Sequence, residues 1–256
     1  MSQSADGCRN LLYFGGKSLA EWIGLLALPW ISMAASAAHV GHTPLDELHQ
    51  QVWTTRDGIP HNTVNAIAQT PDGYLWFATW EGVVRFNGHR FRIFDRSPET
   101  GLPDSGILSL SVGPNGRLLM AGARGGVVET DGRHWQAQPQ AETMVLHAIK
   151  ARDRSVWLAT QGAGIIRRKF DRDGSLTGRE HYLPGASAYQ LVEDEQGRVW
   201  AGTSDGLVRI EDGETTRFGP EDGLPSGPVF SLLSARDGDM FVGTESGLYA
   251  GSEESF

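Results

Sequence analysis

Short apolar stretches separated by turn residues fill the chain from residue 50 onward, and residues 62–94 show the pattern best. Over residues 64–69 small apolar side chains alternate with other types, which indicates a strand with one face more buried than the other. Residues 74–79 are nearly all apolar or aromatic, as is typical of a short strand buried on both faces. Residues 83–86 and 89–94 follow as a third and a fourth strand.

The residues between these stretches are turn formers. Pro71-Asp72-Gly73 predicts a tight turn, because glycine tolerates positive φ and proline presets the bend. Glu81-Gly82 predicts a second turn, and Asn87-Gly88 is the dipeptide most typical of a two-residue hairpin. Four short antiparallel strands joined in this way make one blade of a β-propeller.

The unit is repeated, because a four-residue phrase typical of its second strand occurs five times. The copies begin at Trp76, Leu119, Trp157, Trp200 and Phe241, which are 43, 38, 43 and 41 residues apart. A period of roughly 40 to 50 residues is typical of propellers and solenoids. No segment of residues 50–256 keeps a 3.6-residue apolar period for three turns, which argues against helical repeats. The prediction is an all-β fold, a β-propeller of four-stranded antiparallel blades with five repeats over residues 39–256.

Turn signals place the five blades at approximately residues 61–97, 104–138, 143–183, 187–219 and 226–256. Residues 50–55 hold the place that a fourth strand takes before each later copy, so they are predicted to form an N-terminal strand. Two arrangements stay open, since a sheet edge must be covered. The N-terminal strand completes the last blade and closes a five-blade ring, or the repeats belong to a partial seven-blade propeller. The tryptophans of the repeated phrase are predicted to be core between blades.

Several repeat elements occur in a fixed order, namely Asp57-Gly58-Ile59-Pro60, then Asp72-Gly73-Tyr74-Leu75-Trp76-Phe77-Ala78-Thr79, then Gly82-Val83. Similar elements surround Trp200 and Phe241. In this order they resemble the two-component regulator propeller repeat, over about residues 50–256. The resemblance implies a periplasmic ligand-sensing propeller of a bacterial signal-transduction receptor whose output is a histidine kinase or a diguanylate cyclase. We expect a fragment without that output and therefore no enzyme activity. The alternatives are a secreted carbohydrate-binding, lectin-like propeller and a propeller enzyme similar to streptogramin lyase.

Residues 1–38 precede the repeats and have the features of a targeting segment. Arg9 and Lys17 stand before an apolar stretch, residues 22–33, that is shorter than the roughly 20 residues a membrane-spanning helix needs. Ala35-Ser36-Ala37 offers a small-residue cleavage site. We expect a signal peptide or an N-terminal membrane anchor, hence a periplasmic or extracytoplasmic location. Contact with a membrane is expected only through this segment or through a helix downstream of the chain.

The net charge and the cysteine content limit which partners and metal sites the repeats are expected to have. The net charge is −9, and residues 1–38 contribute nothing to it, so the repeats are acidic. Because phosphate recognition needs a cationic surface, nucleic acid is not expected as a partner. Cys8 is the only cysteine and lies ahead of the repeats, which leaves no disulfide or thiol-bound metal in them.

Two metal-binding and redox motifs are missing from the sequence: it has no His-Glu-x-x-His and no Cys-x-x-Cys. The histidines of the repeats occupy unrelated repeat positions and are interpreted as surface or edge residues: His61, His89, His134, His147 and His181. We therefore predict no catalytic residue, no metal and no cofactor.

Loop variability indicates where a ligand binds. In an up-and-down blade the fourth-to-first and second-to-third connections share one face, and here they differ most between repeats. The predicted ligand-binding residues on that face are His61, Asn62, Trp80, Glu81, Asp104, Ser105, Arg124, Gln161, Tyr189, Asp205, Ser226 and Glu245.

Trp80 and Arg124 suggest the ligand. An indole in a loop can stack on a sugar ring, and a guanidinium can hold a carboxylate bidentately. The expected partner is a small molecule or an oligosaccharide, and self-association through the propeller stays open. The alternatives are packing of Trp80 on the next blade and an ion pair of Arg124 with Glu81 or Glu129.

Overall fold

The computed structural model describes residues 50–102, 104–235, 238–252 and 255–256, and the predicted signal peptide or anchor lies outside them. Within these residues the secondary structure is almost entirely strand, with two 3-10 turns at Thr55–Asp57 and Pro220–Asp222. The strands are β1 (Val64–Gln69), β2 (Leu75–Thr79), β3 (Gly82–Phe86), β4 (Phe91–Phe94), β5 (Ile107–Val112), β6 (Leu118–Gly122), β7 (Val127–Thr130), β8 (Trp135–Ala137), β9 (Val145–Lys150), β10 (Val156–Thr160), β11 (Ile165–Phe170), β12 (Leu176–Tyr182), β13 (Ala188–Glu193), β14 (Val199–Thr203), β15 (Gly206–Glu211), β16 (Glu214–Phe218), β17 (Val229–Ser234), β18 (Met240–Thr244) and β19 (Gly247–Gly251).

The strands form five antiparallel sheets in chain order, which we call blades. Blade 1 is β1–β4, blade 2 is β5–β8, blade 3 is β9–β12, blade 4 is β13–β16 and blade 5 is β17–β19. Each strand pairs with the next one along the chain, so every blade is a simple meander. The predicted all-β propeller of antiparallel blades is confirmed.

The first strand of each blade lies innermost. β1 packs on β5, β5 on β9, β9 on β13, and β13 on β17, so the five first strands stand side by side around a common axis. Apolar clusters fill the spaces between neighbouring blades and include Trp76, Trp157 and Trp200, as predicted.

Each of these three tryptophans is fixed by a hydrogen bond as well as by packing. Its indole N–H donates to a side-chain oxygen near the preceding turn, over 2.7 to 3.0 Å, the acceptors being Thr70, Ser155 and Asp194. A buried indole N–H without an acceptor would cost free energy. The polar turn residue at this place in the repeat therefore has a structural purpose.

The predicted N-terminal strand over residues 50–55 is wrong. Residues 50–54 have no regular structure, and the 3-10 turn that begins at Thr55 is stabilised by a capping box between Thr54 and Asp57. Trp53 instead packs on aromatic rings of blade 1, with centroids 5.0 Å from Phe86 and 5.7 Å from Phe91. The segment therefore contacts blade 1 through a half-buried indole and forms no strand pairing.

Phe256 packs on the tryptophan of the preceding blade in the same way as Trp135, a fourth-strand residue of blade 2. Trp135, the first residue of β8, lies edge-on to Trp76 of blade 1 at 6.4 Å. Phe256 lies edge-on to Trp200 of blade 4, also at 6.4 Å. In both cases an aromatic ring from one blade covers the tryptophan of the blade before it.

Blade 1 and blade 5 each expose one sheet face of the kind that packs on an adjacent blade elsewhere in the series. Leu248 in β19 is 72% exposed, whereas the four residues at its repeat position are 0% exposed, namely Val83, Val127, Ile165 and Leu207. Ile67 in β1 and Leu233 in β17 are likewise exposed. These side chains occupy positions that a neighbouring blade buries elsewhere in the series.

Candidate functional site

The face predicted to bind a ligand carries the second-to-third connections and the loops that lead into the blades. The predicted residues of the second-to-third connections are Trp80, Glu81, Arg124, Gln161, Asp205 and Glu245. Those of the loops leading into blades are His61, Asn62, Asp104, Ser105 and Ser226. Tyr189 lies on β13, one residue after its start, rather than in a loop.

Asp104 and Arg124 meet at the junction of blades 1 and 2. The Asp104 carboxylate is buried and accepts the Arg124 backbone N–H at 2.8 Å and the Gly106 N–H at 3.2 Å. The Arg124 Nε lies 3.9 Å from the same carboxylate. The expected ion pair of Arg124 with Glu81 or Glu129 is absent from the described contacts, because Asp104 is nearer and Glu129 binds Lys150 at 2.6 Å.

Trp80 both packs and presents a surface. A Cβ on Gly106 would lie 3.0 Å from Trp80 Cε3, so the indole rests against the backbone of blade 2 at this glycine. Packing on the next blade was the alternative to ligand stacking, and the contact with Gly106 is packing of that kind. The indole nevertheless stays 43% exposed, beside the junction that holds Asp104 and Arg124.

Other predicted residues hold their own loops together. His61 Nδ1 accepts the Thr63 N–H at 3.0 Å, and Asn62 Oδ1 accepts the Thr55 N–H at 2.9 Å. Asp205 lies 3.8 Å from the Arg217 guanidinium of β16. These contacts stabilise the loops in which the three residues lie. Among the described contacts, none joins His61, Asn62 or Asp205 to Trp80.

Sequence reasoning missed a set of β-bulges on this face. The register of every first strand shifts by one residue near its start, and the unpaired residues are Asn65, Leu108, Leu146, Tyr189 and Phe230. A bulge re-aims a side chain and is often found beside active sites. Because the first strands surround the axis, the five bulged residues lie at the mouth of the axis on the predicted face.

Tyr189 and Phe230 form the aromatic part of this mouth. Their ring centroids are 5.2 Å apart with planes tilted by 42°, and both side chains remain accessible to solvent. Exposed aromatic pairs of this kind suit stacking on a planar or sugar-like ligand. A bulge shifts the alternation of buried and exposed residues by one position, and a strand of six residues is too short to reveal that shift before its partner is known.

His147 is not the surface residue that was expected. It lies partly buried between blades 3 and 4, where its Nδ1 accepts the Leu191 N–H at 3.3 Å. Removal from water lowers the pKa of His147 from 6.5 to about 4, so the ring is neutral at physiological pH. Across the described part of the chain, no His, Cys, Asp and Glu side chains gather in a group of three that could hold a metal.

The described residues contain no helix with the length and apolar character needed to cross a membrane.

Residues 58–81 and 182–205 match the family model named two component regulator propeller. The first segment spans β1, β2 and the turn that holds Trp80, and the second spans β13, β14 and Asp205. No curated protein matches the sequence.

Solved structures share the fold at low sequence identity. An extracellular domain assigned to a hybrid two-component system of B. thetaiotaomicron is similar with a TM-score of 0.61 and 17% identity, over 74% of this chain and 27% of that one. Virginiamycin B lyase from Staphylococcus aureus is similar with a TM-score of 0.59 and 16% identity, over 78% of this chain and 73% of the lyase.

PorZ, a surface component of the type-IX secretion system of Porphyromonas gingivalis, is similar with a TM-score of 0.56 and 17% identity, over 78% of this chain and 33% of PorZ. The chain thus spans only about a quarter to a third of the extracellular domain and of PorZ. Two segments of the chain therefore match the two-component regulator propeller model, and the solved structures share the propeller fold.

Proposed function

We propose that this chain is the ligand-sensing part of an extracytoplasmic receptor domain in bacterial signal transduction. The observation that carries the proposal is the set of five β-bulges in equivalent positions at one mouth of the axis. A bulge repeated in every blade places five side chains at the same level of the axis, and bulges are common beside active sites. Ligand sites on rigid scaffolds are typically built from such end positions and loops.

The ligand we propose is a small molecule or an oligosaccharide that stacks on Tyr189 and Phe230. Their rings present an accessible aromatic surface 5.2 Å apart at the mouth. Trp80 and Arg124 lie on the same face at the junction of blades 1 and 2 and would contact a ligand long enough to reach the rim. An acidic group on the ligand would meet the Arg124 guanidinium, which is exposed.

The location and the receptor context are part of the same proposal. The family is named for two-component regulators, and the similar B. thetaiotaomicron structure is an extracellular domain. The chain spans 27% of that domain, and the outer faces of blades 1 and 5 leave Ile67 and Leu248 exposed. Both facts support a longer receptor in which further blades cover these faces and an output module lies elsewhere.

A binding screen tests this function. The purified chain is titrated with an oligosaccharide and small-acid library by calorimetry, followed by the variants Y189A and F230A. We expect each variant to weaken binding at least tenfold, because stacking area is lost. The matched control is I93A, an exposed apolar residue of β4 away from the mouth, which leaves affinity unchanged. Equal affinity of wild type, Y189A and F230A for every ligand found would overturn the assignment of the mouth.

A lyase activity is the second candidate, because the fold of virginiamycin B lyase covers most of this chain. Against it, His61 and His147 are both committed to backbone N–H groups, in separate parts of the propeller. Incubation with virginiamycin B, followed by mass spectrometry, distinguishes the two functions. Turnover that His61→Ala abolishes would favour the enzyme, and we expect none.

A further inference from the structure

The turn between the first and the second strand is built in the same way in every blade. One residue of this turn donates its backbone N–H to the carbonyl three residues before it, over 2.8 to 3.2 Å. In four blades that residue is a glycine with φ between +72° and +94°, namely Gly73, Gly116, Gly197 and Gly238. Blade 3 has Arg154 at the same place, with a φ of +71°.

Arginine is an unfavourable residue for this turn. Residues with a Cβ rarely adopt positive φ, because the side chain then crowds the neighbouring backbone, whereas glycine does so without strain. Strained residues of this kind concentrate at functional sites, where the side chain has a use that compensates for the strain. Arg154 lowers stability without improving the turn, which points to a use for its guanidinium.

Arg154 lines a cavity of about 200 Å³ between blades 2 and 3. The cavity lies on the face that carries the first-to-second and third-to-fourth turns, opposite the candidate functional site. Lys150 at the end of β9 and Arg172 in the β11–β12 hairpin line the same cavity. Arg154 and Arg172 are exposed and Lys150 is partly exposed, so a solute can reach all three cations.

The cavities at the next two blade junctions are lined from equivalent positions. Lys150 pairs with the first residue of the second strand, and Arg154 is the turn residue described above. Neither position is basic at the other two junctions: the residues are Glu193 and Gly197 between blades 3 and 4, and Ser234 and Gly238 between blades 4 and 5. The two cations are therefore particular to the cavity between blades 2 and 3.

Arginines in the walls of the two equivalent cavities are paired with carboxylates. The pairs are Arg167 with Asp153 at 2.6 Å, Arg152 with Glu193 at 3.4 Å, and Arg198 with Asp194 at 2.7 Å. These guanidinium groups are already neutralised by the protein itself. The equivalent cavities therefore have no cation to spare for an anionic ligand.

The two acids of the blade 2–3 cavity leave its arginines unpaired. Glu129 accepts a hydrogen bond from Lys150 at 2.6 Å, and Asp171 accepts two backbone N–H groups of its own hairpin at 2.8 and 3.0 Å. Among the described contacts, no ion pair or side-chain hydrogen bond involves the guanidinium of Arg154 or Arg172. Two accessible guanidinium groups therefore line one cavity without a partner.

Phosphate is the anion that suits two guanidinium groups. Each guanidinium presents a planar fork of N–H donors, which a carboxylate with its two oxygens can fill only once. A phosphate monoester carries about −1.5 to −2 charges at pH 7 and has three acceptor oxygens, so it can bind two forks together. Apolar surface beside the cations can cover an organic substituent, since Ala137, Pro139 and Phe170 also line the cavity.

We propose that the cavity between blades 2 and 3 binds a small phosphate monoester. Arg154 and Arg172 donate to the phosphate oxygens, and the organic part lies along Ala137, Pro139 and Phe170. The site is on the opposite face from the mouth of the axis and does not depend on the function proposed above. A free phosphate ion shares the anionic chemistry, and the choice of probes separates it from an ester.

Phenyl phosphate, glycerol 3-phosphate and inorganic phosphate are the probes, and potassium chloride at the same ionic strength is the reference. Thermal unfolding and calorimetry are measured on the full chain. We expect a saturable rise in Tm with the two esters and at least threefold weaker binding of inorganic phosphate, which leaves the apolar wall uncovered. Inorganic phosphate that binds as tightly as both esters would overturn the assignment to an ester.

Substitution of the two arginines tests the site itself. R154G restores the glycine of the other four blades, so we expect its Tm without ligand to equal or exceed that of the wild type, while the esters bind at least tenfold more weakly. R172Q should weaken binding to the same extent. The matched control is R90Q, which removes the same charge from the exposed third-to-fourth hairpin of blade 1 and should leave the affinity unchanged.

Three results would contradict the proposal. The first is a wild-type chain that shows no saturable response to either ester. The second is an equal rise in Tm with potassium chloride, which would assign the effect to screening. The third is wild-type affinity in R154G or in R172Q. Because R154G is expected to fold at least as stably as the wild type, loss of binding in this variant cannot be attributed to unfolding.

Discussion

The guanidinium of Arg167 lies 5.0 Å from the centroid of the Trp157 ring, directly across the β10–β11 pair. The same relationship recurs in blades 1 and 4, between Arg85 and Trp76 at 5.5 Å and between Arg209 and Trp200 at 5.6 Å. In blades 2 and 5 the second-strand residue is not tryptophan, and the residue opposite is not arginine: the pairs are Leu119 with Glu129 and Phe241 with Ala250. Arginine therefore accompanies tryptophan as a cation–π pair within the repeat.

Loss of Arg167 should destabilise blade 3 moderately. The side chain also bonds Asp153 at 2.6 Å and Glu180 at 3.1 Å, in partly exposed positions that weaken ion pairs. We expect R167A to lower the free energy of unfolding by about 1 to 2 kcal/mol, and W157A by about 3 to 5 kcal/mol because a buried indole is removed. Urea denaturation followed by circular dichroism measures both.

The exposed Arg179 of β12 provides the control, since R179A removes a charge without a stacked ring and should change stability little. A double-mutant cycle with W157L then isolates the pair. Coupling below the error of the measurement would show that the two side chains are merely neighbours.

Stability should fall as the pH drops from about 6.5 toward 4, because of His147. Its pKa is 6.5 in the unfolded chain and about 4 in the folded protein, so the unfolded state binds more protons in this window. The contribution is fully present above pH 6.5 and is lost progressively below it. Since the ring is only partly buried, we expect a loss of about 1 to 3 kcal/mol at pH 4.

Urea midpoints at pH 7, 6 and 5 measure this loss. H147Q, which cannot gain the proton, should flatten the profile over this range, whereas H134Q at an exposed hairpin should not. An identical slope for wild type and H147Q would assign the pH dependence to other groups. Asp194 titrates lower, because hydrogen bonds from Trp200 and Arg198 outweigh the effect of burial and lower its pKa.

The exposed outer face of blade 5 gives a direct contrast between equivalent positions. Leu207 is fully buried by blade 5, while Leu248 at the same repeat position is 72% exposed. We expect L207S to cost about 3 to 5 kcal/mol and L248S less than about 0.5 kcal/mol. Thermal or urea unfolding of the two variants is the measurement. A large loss for L248S would mean that another part of the protein covers this face.

The architecture could be predicted because each blade depends on local signals. Turn dipeptides such as Asn87-Gly88 and the spacing of Trp76, Trp157 and Trp200 define strands and blades within about 40 residues of sequence. These signals act through backbone geometry and burial, which a single sequence displays directly.

The site was less predictable, since it depends on long-range geometry. The bulges at Asn65 and Phe230 become visible only when strand partners are known, because a one-residue shift of the alternation cannot be recognised within a six-residue strand. The partner of Arg124 is Asp104, 20 residues earlier, in the loop that leads into the same blade. The position of Trp53 on blade 1 likewise followed from tertiary packing that no local preference encodes.

The contact between Trp80 and Gly106 should control the exposed indole on the candidate face. A methyl group at residue 106 would lie 3.0 Å from Trp80 Cε3 and 3.5 Å from the Ala123 Cβ, so the indole must move. We expect G106A to destabilise the protein by about 1 kcal/mol and to shift the tryptophan fluorescence toward a more exposed ring. G219A is the matched control, because nothing lies within 4 Å of a Cβ there and its φ is −154°.

The W80F background shows whether the fluorescence change belongs to this indole. In W80F the substitution G106A should leave the emission maximum unchanged, since the three atoms nearest a Cβ at residue 106 belong to Trp80 and Ala123. A shift of the same size in W80F would mean that the methyl group disturbs the blade junction as a whole. In that case Trp80 is not positioned by Gly106, and its exposed face has no defined orientation toward a ligand.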